Sequence, residues 1–293
     1  MLEGFQVHDV AVGDATIHAA VKGAGPPLLL LHGFPQTHAM WHRVAPQLAE
    51  RFTVVCADLR GYGDSSKPAG GADHAGYAKR AMATDMVRLM AHLGFERFQL
   101  AGHDRGGRVA HRLALDHAER VERLCMLDIV PTATLFAATD KAIATGYYHW
   151  FFLIQPAPLP ETLIERSAID YLHAKLGRWG STAAAFDPAA VAEYERCIQD
   201  PTTIHAMCED YRAAATVDLA HDAADADARI QCPMLVLWGQ NGLMHRHFDV
   251  LDTWQVKHAE PSIVTGAALP CGHFLPEEAP DHVLAAFADF FAA

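Results

Sequence analysis

The sequence predicts an α/β protein: a mostly parallel, eight-stranded sheet with helices on both faces and an inserted helical cap. Three observations lead there. Eight segments of strand length, apolar or alternating, are separated by stretches with helical spacing: "FQVHDV", "ATIHAAV", "PLLLLHG", "TVVCADL", "RFQL", "RLCMLDIV", "PMLVLWG" and "PSIVTGAAL". Their regular alternation with helices is the signature of a parallel sheet covered on both sides. Between positions 132 and 228 the rhythm stops, and an aromatic-rich, helix-like tract without a strong strand takes over. The expected domains are therefore a sheet core, 1–131 and 229–293, and a helical cap, 132–228.

Taken in order, "HAMWHRVAPQLAE" reads as the first helix and "AGYAKRAMATDMVRLMAHLG" as the second, with Gly94 as its stop. "RFQL" then runs straight into "AGHDRGGRV", and an amphipathic run follows at once. Strand, abrupt turn and helix form a nucleophile elbow, a nucleophile held between small residues. The final "APDHVLAAFADFFAA" closes the chain as an amphipathic helix. "HDAADADAR" (221–229) lacks metal-ligand spacing and reads as a solvated return segment.

Composition narrows the function. The 293 residues are 51% hydrophobic and 20% charged, which describes a folded chain with a large core. No apolar run is long enough to span a bilayer, and the N-terminal stretch does not read as a signal peptide. A net charge of −12 without a basic run argues against nucleic acid. None of the six cysteines forms a C-x-x-C, so they read as buried thiols in a reducing, cytoplasmic setting. Neither a metal nor a cofactor is expected.

The centre of the elbow is Asp104, where most hydrolases of this layout carry Ser or Cys. Helix capping is the plain alternative for such an Asp, but the flanking Gly102, Gly106 and Gly107 favour the elbow. The loop "HGFP" (32–35) follows a strand and can offer the backbone amide of Phe34 beside that of Arg105 as an oxyanion hole. His273 lies after the last strand, where this architecture carries its base. Its orienting acid is Asp128, at the end of "RLCMLDIV"; the rival loop after "LVLWG" offers no acid before Asp249. "DLRGYGDSSKP" (58–68) lacks the ending of a phosphate loop, so its glycines are turn positions.

A carboxylate nucleophile points to displacement at saturated carbon. Serine there would leave an ether, whereas aspartate leaves an ester that an activated water can cleave. Alkyl halides and epoxides both fit. Arg105 and Arg108, one helical turn apart, suggest a substrate with its own carboxylate, gripped by guanidinium groups; the bland alternative for Arg108 is a surface position.

With "HGFPQTHAMW", "DLRGYGDSSKP", "GHDRGGRVAHRLALDH", "LDIVPT", "YYHWFFLIQP" and "LPCGHFLPEEAP", the chain resembles the fluoroacetate (haloacetate) dehalogenases of the α/β-hydrolase fold over nearly its whole length. Relatives with the same aspartate elbow, the haloalkane dehalogenases and epoxide hydrolases, read H-D-W-G where this chain has His-Asp-Arg-Gly. The resemblance implies a triad of Asp104, Asp128 and His273, carboxylate binding by Arg105 and Arg108, and a halide site of His149, Trp150 and Tyr211. It also implies a homodimer. The expected function is hydrolysis of a small halogenated carboxylic acid, a haloacetate, to glycolate and halide. An epoxide hydrolase and a non-catalytic ligand receptor are the alternatives.

Overall fold

The strand-like segments become β1 (Gln6–Ala11), β2 (Thr16–Lys22), β3 (Pro27–Leu31), β4 (Thr53–Ala57), β5 (Phe98–His103), β6 (Val121–Leu127), β7 (Met234–Gly239) and β8 (Val264–Leu269). In this computed structural model, which describes residues 1–292, they form one sheet in the order β1-β2-β4-β3-β5-β6-β7-β8. β1 and β2 run antiparallel; every pairing from β4 to β8 is parallel. Successive residues of a strand face opposite sides, so a strand buried at every position must be covered on both. β5 is buried at all six positions, and Leu28 to Leu31 of β3 are fully buried. Each such leucine contributes about 1.5–3 kcal/mol by leaving water. β1, at the sheet edge, is mostly exposed.

The helix Lys79–His92 ends two residues before Gly94, which takes φ +90° as a left-handed stop. One expectation needs correction. "HAMWHRVAPQLAE" is not a single helix but a 3₁₀ turn, His38–Trp41, followed by a short helix, Ala45–Leu48. Pro46 explains the break: its missing N–H cannot continue a helix from upstream, but it is tolerated in the first turn of a new one.

Between β6 and β7 the chain is helical, from Thr132–Ala137 to Val217–Ala224, with no strand among the described residues. Its longest helix, Pro201–Ala215, packs against the 3₁₀ turn Ala75–Tyr77, and the helix Pro188–Ile198 packs against His38–Trp41. The acidic return segment is less solvated than expected, because Asp222 and Asp225 hold Arg112, and Asp225 also holds Arg80. No described helix is long and apolar enough to cross a membrane.

Candidate active site

β5 delivers His103, and the next residue, Asp104, turns the chain with φ +44° into the helix Asp104–Asp116. A non-glycine residue in that region carries strain of about 1–3 kcal/mol, which the surroundings must offset. They do so by close backbone approach. The amide of Gly106 donates to the His32 carbonyl at 2.8 Å, and a Cβ on Gly106 would lie 2.4 Å from that oxygen. A Cβ on Gly33 would lie 2.5 Å from the Cβ of Asp104. With both glycines bare, the loop after β3 closes on the elbow, and the Phe34 amide donates to Asp104 Oδ1 at 2.9 Å.

β6 ends one residue before Asp128, which also has positive φ, +51°. Its Oδ1 accepts from the Gly239 amide at 2.9 Å, and its Oδ2 lies 2.5 Å from Nδ1 of His273. The rival acid is elsewhere: Asp249 accepts from the Asp252 amide and caps the helix Val250–Gln255. Trp179 packs edge-on against His273, with ring centroids 5.2 Å apart. Burial alone would lower the His273 pKa, but the hydrogen bond and charge of Asp128 outweigh it and raise the value above the usual histidine range. Asp104 shows the opposite balance. Burial pushes its pKa up, yet His273, His103, Arg105 and Arg108 together hold it below the usual carboxylate range. Asp104 is therefore ionised.

The two arginines are not equivalent. Arg105 already grips an acid: Nε and Nη2 reach the two Asp210 oxygens at 2.8 and 2.7 Å, and Nη2 also donates to the Asp210 carbonyl. Only its Nη1 is buried without a partner. Of the two arginines expected to bind a substrate carboxylate, Arg105 thus has one fork committed to Asp210 and a single nitrogen without a partner. Arg108 donates through Nη1 to the Val130 carbonyl and Thr132 Oγ1, both at 3.0 Å, and its Nε has no partner. No described ion pair includes it. Burial, then the charge of Arg105, lowers its pKa to about 10, still far above neutrality. It is not the surface residue that helical spacing alone allowed, being 3% exposed.

His149, Trp150 and Tyr211, all from the inserted helices, form an aromatic roof over this centre. Phe34 stacks on His149 at 5.3 Å and meets Tyr211 edge-on at 5.3 Å, while Trp150 and Tyr211 lie 5.8 Å apart. Arg105 sits over the Tyr211 ring at 4.2 Å and Arg108 over Trp150 at 4.5 Å. Burial, assisted by Lys175, holds the His149 pKa well below its usual value, and burial holds that of Tyr211 well above, so both are neutral. The Tyr211 hydroxyl and His149 Nδ1 are buried without partners.

Three contributors escaped the sequence. Asp210 fixes Arg105, Thr132 steadies Arg108, and Trp179 backs His273. Acids next to Tyr211 in "CEDYR" were a usable signal, because carboxylates in a buried helix need partners. Trp179 left none, since its role depends on where its turn docks.

Sheet order, elbow and histidine position together mark the fold: the chain belongs to the α/β-hydrolase fold family, whose model matches residues 26–280. The narrower resemblance read from the motifs also holds. A fluoroacetate dehalogenase from Burkholderia sp. is 50% identical over 293 residues, covering 100% of this chain and 95% of the relative. A soluble epoxide hydrolase from Corynebacterium sp. (strain C12) is 36% identical over 292 residues, covering 97% and 96%. Among solved structures, ALR0039 from Nostoc sp. PCC 7120 is 55% identical with a TM-score of 0.97, covering 99% of each chain.

Proposed function

We propose that the protein hydrolyses haloacetates to glycolate and halide. As a hydrolase of carbon–halide bonds it needs a nucleophile at carbon, a base for water and a place for the substrate's charge. The observation that carries this reading is Arg108, a buried guanidinium that forms no ion pair among the described residues. A buried charge is costly unless paired, and a substrate carboxylate supplies the missing partner. The free Nη1 of Arg105 completes the grip.

Phe34 occupies one oxygen of Asp104, leaving the other to attack the carbon that bears the halogen. The C–O bond forms as the carbon–halogen bond breaks, and the halide takes the bonding pair. His149, Trp150 and Tyr211 meet it with neutral donors; these matter most for fluoride, a poor leaving group unless donors are already in place. The Asp104 ester is then hydrolysed. His273, held by Asp128, takes a proton from water, hydroxide adds to the Asp104 carbonyl carbon, and the amides of Phe34 and Arg105 receive the oxyanion. Collapse releases glycolate, which takes the proton back from His273. The inserted helices 132–228 act as a cap that excludes water during the first step. Six free, buried thiols support a reducing compartment as the place of action.

The epoxide hydrolase relative and the unpartnered Tyr211 hydroxyl, a donor suited to an opening ring, keep one second reading in play. A single assay series separates the two. Halide is measured from fluoroacetate and chloroacetate, and diol from a neutral epoxide. Halide release without diol supports the dehalogenase; diol formation with inert haloacetates overturns it.

A further inference from the structure

We propose that His18 and His38 form a binding site for a divalent transition-metal cation, zinc in the first instance, beside Asp58. His18 lies on β2 and His38 opens the 3₁₀ turn after β3. Their rings are 5.2 Å apart, and one ligand atom from each of His18, His38 and Asp58 lies within 4.8 Å of the others. Both histidines line a surface hollow of about 400 Å³ together with Asp64 and Glu193.

The tautomers are set for coordination. Asp9, the cross-strand partner of His18, holds its Nδ1 at 2.8 Å, and Asp58 holds Nδ1 of His38 at 2.9 Å. A carboxylate on one ring nitrogen turns the other into an oriented lone pair, as in carboxylate–histidine–zinc triads. Neither Nε2 has a hydrogen-bond partner among the described residues. Asp58 serves as an orienting group rather than a ligand, because its oxygens already accept from the amides of His38 and Asp64. Zinc bonds nitrogen at about 2.0–2.1 Å, so the two imidazoles would turn toward each other to share one ion, with water filling the remaining positions.

Asp58, Glu193 and Asp64 place negative charge around His38. Asp64 and Glu193 share the guanidinium of Arg196, and Glu193 belongs to the helix Pro188–Ile198 of the inserted segment.

The test is titration of the full-length protein with zinc chloride by calorimetry, with melting temperature measured with and without zinc. Wild type should bind one zinc per chain saturably and melt at a higher temperature with it. His18→Gln should lose both effects while its circular dichroism stays native, since His18 is partly exposed and its side chain gives up only the Asp9 hydrogen bond and the His38 ring contact. Asp9→Asn should weaken zinc by about 10- to 100-fold. His38→Gln should also lose zinc, but it disturbs Asp58 as well, so His18→Gln and Asp9→Asn are the decisive variants. Absence of saturable binding in wild type, or unchanged affinity in folded His18→Gln or Asp9→Asn, overturns the proposal.

Discussion

At the residue scale, a single atom decides the chemistry. Asp104 Oδ1 is held by the Phe34 amide. In the proposed mechanism the other oxygen attacks, the same amide receives the later oxyanion and His273 serves only the second step, so His273→Asn should release one halide per site and stop with a carboxymethyl ester on Asp104. Intact-mass measurement on fluoroacetate should show a gain of about 58 Da, mapped to the "GHDRGG" peptide. Halide release without that adduct would mean that Asp104 is not the nucleophile. In wild type, His273 must be neutral to accept a proton. Because its pKa is raised, activity should fall as pH drops through that value, at a pH above the usual 6.5 of histidine. Arg108 tests the substrate's charge. Arg108→Leu should lower kcat/KM on chloroacetate by a factor of about 30 to several thousand, the equivalent of about 2–5 kcal/mol. It should melt no lower than wild type, since it removes an unpaired buried charge. A lower melting temperature with unchanged kinetics would make Arg108 structural.

At the element scale, strand ends bring Asp104, Asp128 and His273 together. β5, β6 and β8 are neighbours or near neighbours in a parallel sheet, so residues just past their C-terminal ends gather at one edge although they are far apart in sequence. Asp128 reaches His273 across 145 residues, and Asp249 instead stabilises the start of its own helix. Asp128→Asn should therefore cut turnover sharply and leave folding intact, whereas Asp249→Asn, which keeps a capping side chain and loses only its charge at the helix start, should cost about 0.3–1 kcal/mol of stability at most and leave turnover alone. The opposite pattern, read from kcat and melting temperature side by side, would reassign the acid.

At the scale of the whole molecule, polar contacts join the inserted helices to the sheet. Asp210 accepts from Arg105, Lys79 and Tyr62. Glu277, near the C-terminus, bonds both Gln36 and Tyr194, and Tyr194 belongs to the inserted segment. Burial raises the Glu277 pKa from 4.5 to about 8 despite those hydrogen bonds. Below pH 4.5 folded and unfolded chains both carry the proton. Between there and about pH 8 only the folded chain keeps it, so this residue's contribution to stability declines as pH rises through that window, by a few kcal/mol. Glu277→Gln should flatten the decline in denaturant-unfolding free energy between pH 5 and 8. An equally steep decline in the variant would show that Glu277 is ionised in the native protein.

Periodicity alone determined the strands, because burial on both faces demands apolar residues at every position and leaves a pattern in one dimension. Asp104 was legible for a related reason: a left-handed turn beside close-packed backbone requires glycines at set offsets, and Gly102, Gly106 and Gly107 stand there. Chemistry then linked an aspartate nucleophile to displacement at carbon, and the roles of His149, Trp150 and Tyr211 came from resemblance rather than spacing. The unequal states of Arg105 and Arg108 were decided only in three dimensions. Both are arginines on one helix face, and nothing local distinguishes them. Asp210 lies 105 residues from Arg105, and its helix docks so that it reaches one guanidinium and not the other. Which buried charge is held in an ion pair, and which is left without one, depends on contacts between elements distant in sequence, and so on the tertiary structure.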